Sequence, residues 1–166
     1  MKNLLIGLLF LLVSYTFTLG QIVVLKPKDL KLLEGKKWTG TLTYLDYTSN
    51  KRTSIRSNLT VARKTNKPAT WAFSYEYPDE AKANKLSEAV LSDDGKTFFG
   101  ERVIAKTHPN RKALMLVTTQ PGSDNNKKAV FRYTYLVDAK NLSLKKEVQV
   151  EGSSVWFLRN EYILAR

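Results

Sequence analysis

The chain has 166 residues, 43% hydrophobic and 25% charged, with 27 Lys and Arg against 15 Asp and Glu for a net charge of +12. It has no cysteine and a single histidine, His108, which excludes disulfide staples, thiol chemistry, an acylated lipobox cysteine and histidine-rich metal sites. The fold must therefore be held by its core alone, and the length suits one domain.

The N-terminus begins with Lys2, an apolar run from Leu4 to Val13, and then Ser14-Tyr15-Thr16-Phe17-Thr18-Leu19-Gly20. A basic start, a short apolar stretch and small residues before a cut read as a secretory signal peptide over 1–20, cleaved between Gly20 and Gln21. The layout resembles Gram-negative bacterial signals. Ser14 and Thr16 interrupt the apolar run before it reaches the roughly 18 residues of a membrane helix. The expectation is an exported protein, periplasmic or extracellular, with one domain over 21–166 and no transmembrane segment in the mature chain. Lys2 is the only charged residue before Gln21, so the positive balance belongs to the domain. It predicts weak contact with acidic polymers or anionic surfaces. Its doublets Lys36-Lys37, Lys51-Arg52, Arg63-Lys64, Arg111-Lys112 and Lys127-Lys128 fall at strand ends or in turns, split between both rims of a meander.

Pro27 to Gly35 reads as one or two helical turns stopped by Gly35, a short N-terminal helix able to plug a barrel end. From Lys37 the pattern changes to short alternating strands between turn signals. Residues 37–47 put Trp38, Gly40, Leu42 and Tyr44 on one face and Thr39, Thr41 and Thr43 on the other, before the turn Thr48-Ser49-Asn50-Lys51. Residues 53–62 set Ile55, Ser57, Leu59 and Val61 on one face. The clearest alternation is Trp71, Phe73, Tyr75 and Tyr77 against Ala72, Ser74 and Glu76, an aromatic face that must be covered. Strands over 85–92 and 96–106 flank the hairpin signal Asp93-Asp94-Gly95, and Gly100 predicts a bend or bulge in the second. A strand over 112–119 leads into Gln120 to Lys127, rich in turn formers and read as the most flexible loop. Residues 129–137 again alternate aromatics, Phe131, Tyr133 and Tyr135, and strands over 142–150 and 155–164 complete the chain. Connections this short predict an all-β fold, a single antiparallel up-and-down β-barrel of about 8–10 strands.

The short helix with Gly35 and Trp38 opening the first strand, the run of antiparallel strands and the terminal Trp156-Phe157-Leu158-Arg159-Asn160-Glu161-Tyr162 together resemble the calycin superfamily of lipocalin-like and fatty-acid-binding-protein-like barrels. In lipocalins a Gly-x-Trp near the first strand packs under an Arg of the last; here the glycine and tryptophan are spaced Gly35-Lys36-Lys37-Trp38. Fatty-acid-binding proteins grip a carboxylate with Arg-x-Tyr on the last strand, whereas Arg159 and Tyr162 stand three apart and face opposite ways in a regular strand. The resemblance implies a lipocalin-like domain that holds a small molecule inside the barrel.

Trp71, Phe73, Tyr75, Tyr77, Phe131, Tyr133 and Tyr135 are the candidate ligand-binding residues, since aromatic walls with a few hydroxyls suit a planar or apolar ligand. The same rings also suit, and better suit, the filled core of a small barrel. Arg132 and Arg159 join them because a strand-borne Arg facing a cavity clamps a carboxylate or phosphate; Arg102 and Glu161 share the pattern of a charge among apolar neighbours, which outward-facing solvated side chains or an Arg159–Glu161 structural pair also explain. No catalytic residue, metal site or cofactor is read, and any imidazole chemistry or haem ligation would run through His108, in a turn. The expected partner is a small apolar or amphipathic molecule, without sequence-specific nucleic-acid binding. A module binding acidic polymers or a protein through its basic rims is the alternative, and a small barrel enzyme such as a cyclase or isomerase the third.

Overall fold

Alternating inward and outward side chains form strands that cannot bury one face singly, and here they close on one another around a shared interior. The computed structural model describes residues 23–35 and 37–166. Its strands are β1 (Lys37–Asp46), β2 (Lys51–Arg63), β3 (Thr70–Glu76), β4 (Lys85–Val90), β5 (Thr97–Phe98), β6 (Glu101–Thr107), β7 (Leu114–Asp124), β8 (Lys127–Val137), β9 (Asn141–Val150) and β10 (Phe157–Ala165). The proposed signal peptide, 1–20, and Lys36 lie outside the described residues.

The ten strands form one antiparallel sheet in the order β4-β3-β2-β1-β10-β9-β8-β7-β6-β5. The first and last strands pair in register from Thr39↔Ala165 to Tyr44↔Asn160, which wraps the meander round. The two ends of the sheet, β4 and β5, meet only through the Leu91↔Phe98 bridge and flanking hydrogen bonds such as Ser92 N–H to the Thr97 carbonyl, 3.0 Å. The result is a single, nearly closed, all-β barrel.

Its N-terminal cap is a 3-10 segment, Pro27–Leu33, started by Asp29 accepting from the Lys26 N–H at 2.8 Å and ended by Gly35 at φ 94°. Leu30 and Leu33 insert from it among Trp38, Trp71, Phe98 and Leu114, and none of these six is more than 1% exposed. Each of the buried leucines contributes about 1.5–3 kcal/mol by leaving water. The indoles find partners as they enter: Trp38 Nε1–H donates to the Leu33 carbonyl at 3.2 Å, and Trp71 Nε1–H to Glu34 Oε1 at 2.7 Å. The Arg166 guanidinium lies 3.7 Å from the centre of the Trp38 ring and donates to the Leu32 carbonyl. The arginine over the first-strand tryptophan is therefore Arg166, not Arg159.

Two stretches depart from the sequence expectation. The strand predicted over 96–106 is two strands, because Phe99 (φ 63°) and Gly100 (φ 79°) make a tight turn that sends β6 back along β5, pairing Phe98↔Glu101. The predicted loop over 120–127 is a continuation of β7 into β8. Only Asn125 and Asn126 turn, both at positive φ (46° and 62°), the conformation that matches the twist of a two-residue hairpin. Pro121 pairs opposite Val130 and Gly122 opposite Ala129, so residues with turn propensity are held in a ladder by the strand beside them.

Candidate functional site

The short β5–β6 hairpin leaves the barrel wall incomplete. At the end away from the 3-10 cap, β4 and β7 run past it without a partner between them, and behind this gap lies a cavity of about 360 Å³. Its lining comes from around the barrel: Tyr75 and Tyr77, Lys85 and Ser87 of β4, Phe99 and Glu101 of the tight turn, and Gln120 of β7. Tyr133 and Tyr135 of β8, Leu144 and Lys146 of β9, and Asn160 and Tyr162 of β10 complete it. Lys85, exposed, marks the mouth on the β4 side.

The rings are held by one another and by their hydroxyls. Tyr75 and Tyr162 lie 5.4 Å apart between centres, the Tyr77 and Tyr162 hydroxyls hydrogen-bond at 2.7 Å, and Gln120 Nε2 donates to the Tyr133 hydroxyl at 3.2 Å. Burial raises the Tyr75, Tyr133, Tyr135 and Tyr162 hydroxyls above the usual phenol range, so all four stay neutral at physiological pH.

Two charged side chains face this interior, and the sequence reading passed over both. Glu101, 4% exposed, accepts a hydrogen bond from the Thr118 hydroxyl, and burial pushes its carboxyl up to about 7, against the smaller opposing pull of that bond and of Lys146. Lys146 sits in the inward register of β9 between Leu144 and Val148, its Nζ 3.7 Å from the centre of the Phe131 ring. Burial lowers the pKa of its ammonium, with Asp124 and Glu101 pulling the other way. Lys146 was legible as the one polar residue in the series Leu142, Leu144, Lys146, Val148, Val150. Glu101 was not, because in an uninterrupted strand through 96–106 Phe98 shares a face with Arg102 and Phe99 with Glu101, and nothing local says which face is inward. The Phe99-Gly100 turn instead pairs Phe98 with Glu101, so the acid follows the buried Phe98 ring inward and Arg102 is exposed.

The candidate residues read from the sequence divide among five places. Tyr75, Tyr77, Tyr133 and Tyr135 line the cavity. Trp71 and Phe73 lie below it in the packed core, each 1% exposed. Phe131 belongs to a second apolar cluster above, with Ala129 and Val148, and its ring rests against Gly122, where a Cβ would collide with it. Arg132 points to the outer face, where it makes a two-pronged pair with Glu147, both bonds 2.9 Å, and lies 4.3 Å from the Trp156 ring centre.

Arg159 stands at the rim, at the β10 bulge between Leu158 and Asn160. It donates to the Leu45 carbonyl, lies 4.3 Å from the Tyr47 ring centre, and has its Nε 3.5 Å from Asp124 Oδ1. Tyr47 donates its hydroxyl to the same Asp124, and burial together with that carboxylate pushes the phenol up to about 12. These three residues bridge the β1–β2 turn, the start of β10 and the β7–β8 hairpin across the upper end of the barrel. His108 is exposed in the turn after β6, outside the cavity lining. Among the described residues no three His, Cys, Asp or Glu side chains gather as a metal site.

No protein-family model and no curated protein matches this sequence. Among solved structures, the crystal structure of Rv2717c from M. tuberculosis is similar, with a TM-score of 0.58 at 14% identity over 86% of this chain and 98% of that one. At that identity the likeness shows a shared barrel fold.

Proposed function

We propose that this protein is an exported, lipocalin-like barrel that carries a small apolar or amphipathic molecule in the cavity between Tyr75, Tyr133 and Tyr162. The observation that carries the reading is the cavity itself: about 360 Å³, within the range of small-molecule sites, lined by rings with a few convergent polar groups. The arginine laid over the first-strand tryptophan, Arg166 on Trp38, supports the calycin resemblance. Export rests on the N-terminal pattern of 1–20 and implies a mature chain starting at Gln21, which the N-terminal mass of protein from the exported fraction of its host tests.

The interior favours a carrier over the other two readings. Surface cations at the rims and on the outer face are partly neutralised by acids, as in Lys37–Glu76 (2.6 Å), Arg56–Asp79 (2.5 Å) and the Lys64 and Lys67 contacts with Glu88, so contact with polyanions is weak and screened by salt. Glu101 is the one carboxyl in the lining, so paired-carboxylate chemistry has no second member there. Titration with the uncharged dye N-phenyl-1-naphthylamine and its 8-sulfonate tests the reading. Saturable one-to-one binding of either, weakened at least fivefold by Tyr133→Ala, supports a carrier. No saturable binding of either dye overturns it.

A further inference from the structure

The cavity wall is specialised beyond what a generic apolar site requires. Six of its residues are aromatic and one, Leu144, is aliphatic, so its surface suits the face of a flat ring better than a flexible alkyl chain. Its charges are also unequal. Among the described residues no carboxylate lies within 4 Å of the Lys146 ammonium, which is half-buried and rests on the Phe131 ring. Lys85 adds a second cation at the mouth, close enough to disfavour the charge on Lys146. Glu101, the acid nearest the centre, is turned to Thr118 rather than to the lysine, and the rim carboxylate Asp124 is taken by Tyr47 and Arg159. A desolvated cation without a counter-ion is costly, and an anion brought in with the ligand offsets that cost.

We infer that the ligand is a planar aromatic anion, its ring system layered among Tyr75, Tyr133 and Tyr162 and its carboxylate, sulfonate or sulfate held by Lys146 with Lys85 at the mouth. This rests on the carrier reading and goes further by fixing both the shape and the charge of the cargo. Gln120 and Asn160 supply hydrogen bonds to its polar edge. The supporting feature is Gly122, whose lack of a side chain lets the Phe131 ring lie against β7 and present its face to the ammonium of Lys146, a residue of the cavity lining, in a cation–π contact that holds the charge in place.

The pair of dyes differing only in the sulfonate separates this inference from the reading beneath it. Wild-type protein is expected to bind 1-anilinonaphthalene-8-sulfonate at least tenfold tighter than N-phenyl-1-naphthylamine, and Lys146→Met to abolish that preference while still binding the neutral dye. Lys146→Arg should keep the preference and Lys85→Met should reduce it about threefold, so the test stands even if the methionine variant at 146 misfolds. Dodecanoate should displace the sulfonate at least tenfold less effectively than naphthalene-2-carboxylate. Equal wild-type affinities for the two dyes, or a preference untouched by every lysine variant, would overturn the anion site and leave the carrier standing. Stronger displacement by dodecanoate would overturn the aromatic cargo. Absence of binding by both dyes overturns the carrier and this inference together.

Discussion

The two halves of the barrel interior are drawn from the same strands and yet have opposite character. Towards the 3-10 cap, inward positions carry Leu, Val, Trp and Phe, and the cap drives Leu30 and Leu33 into the remaining space, so the end is solid. Away from it the same strands carry tyrosines, Gln120, Thr118, Lys146 and Asn160 on their inward face, and β5 and β6 stop short, so the space stays open. Apolar groups gain by filling volume completely, whereas hydroxyls, an acid and an ammonium keep room for water or a ligand to satisfy them. Solid packing and open space are thus separated along one barrel axis.

The sharpest way to break that division is to truncate one ring in each half. Phe98→Ala removes a fully buried ring packed against Trp71, Phe73 and Tyr135 at centre distances of 6.1–6.3 Å, and should cost about 3–5 kcal/mol in chemical denaturation. Tyr133→Ala, at a half-buried position beside the cavity, should cost less than half as much while accounting for most of the loss in dye binding. Equal costs would mean that the upper half is as solid as the lower.

A second contrast is in pH. Folding holds the proton on Glu101 up to about 7, whereas the unfolded chain releases it near the ordinary value of 4.5. Between those values the folded state binds more protons, so stability falls as pH rises through the window and is level above it. Paired carboxylates such as Asp79 and Glu76, whose partners Arg56 and Lys37 hold them below the usual range, act in the opposite sense and only as pH falls below their ordinary values. Wild type should therefore lose roughly 2–3 kcal/mol between pH 5 and 8 by denaturant unfolding, and Glu101→Gln should remove most of that slope. A slope unchanged in the variant would mean that the upper half does not bury this acid.

The smallest expected effect is at Gly122. An added methyl must displace the Phe131 ring, costing about 1–2 kcal/mol, in the lower part of the overpacking range because the colliding atoms are the far edge of a side chain rather than backbone. Affinity for the sulfonate dye should fall about threefold with the neutral dye unaffected, since the Lys146 ammonium loses its support. Fluorescence titration of the two dyes checks it.

Most of the strands, most of their faces and the class of fold were legible in the residues alone. Period-two alternation with aromatic and β-branched residues has one physical outcome, and Trp71 to Tyr77 and Phe131 to Tyr135 indeed face inward. Composition likewise placed the aromatic walls, because seven inward aromatics cannot stay in water. Tertiary structure decided where those walls end. Whether a ring is packed, like Phe73, or beside space, like Tyr133, depends on what the strands opposite supply, and no local pattern contains that. Gln120 to Lys127 looked like a loop because Pro, Gly, Ser and Asn favour turns, but pairing with β8 confined the turn to two asparagines. The acid in the cavity depended on a single tight turn: Phe99 and Gly100 at positive φ reverse the chain and so put Glu101, rather than Arg102, on the same face as the buried Phe98. Side-chain direction in a strand is a parity, and one tight turn is enough to invert it.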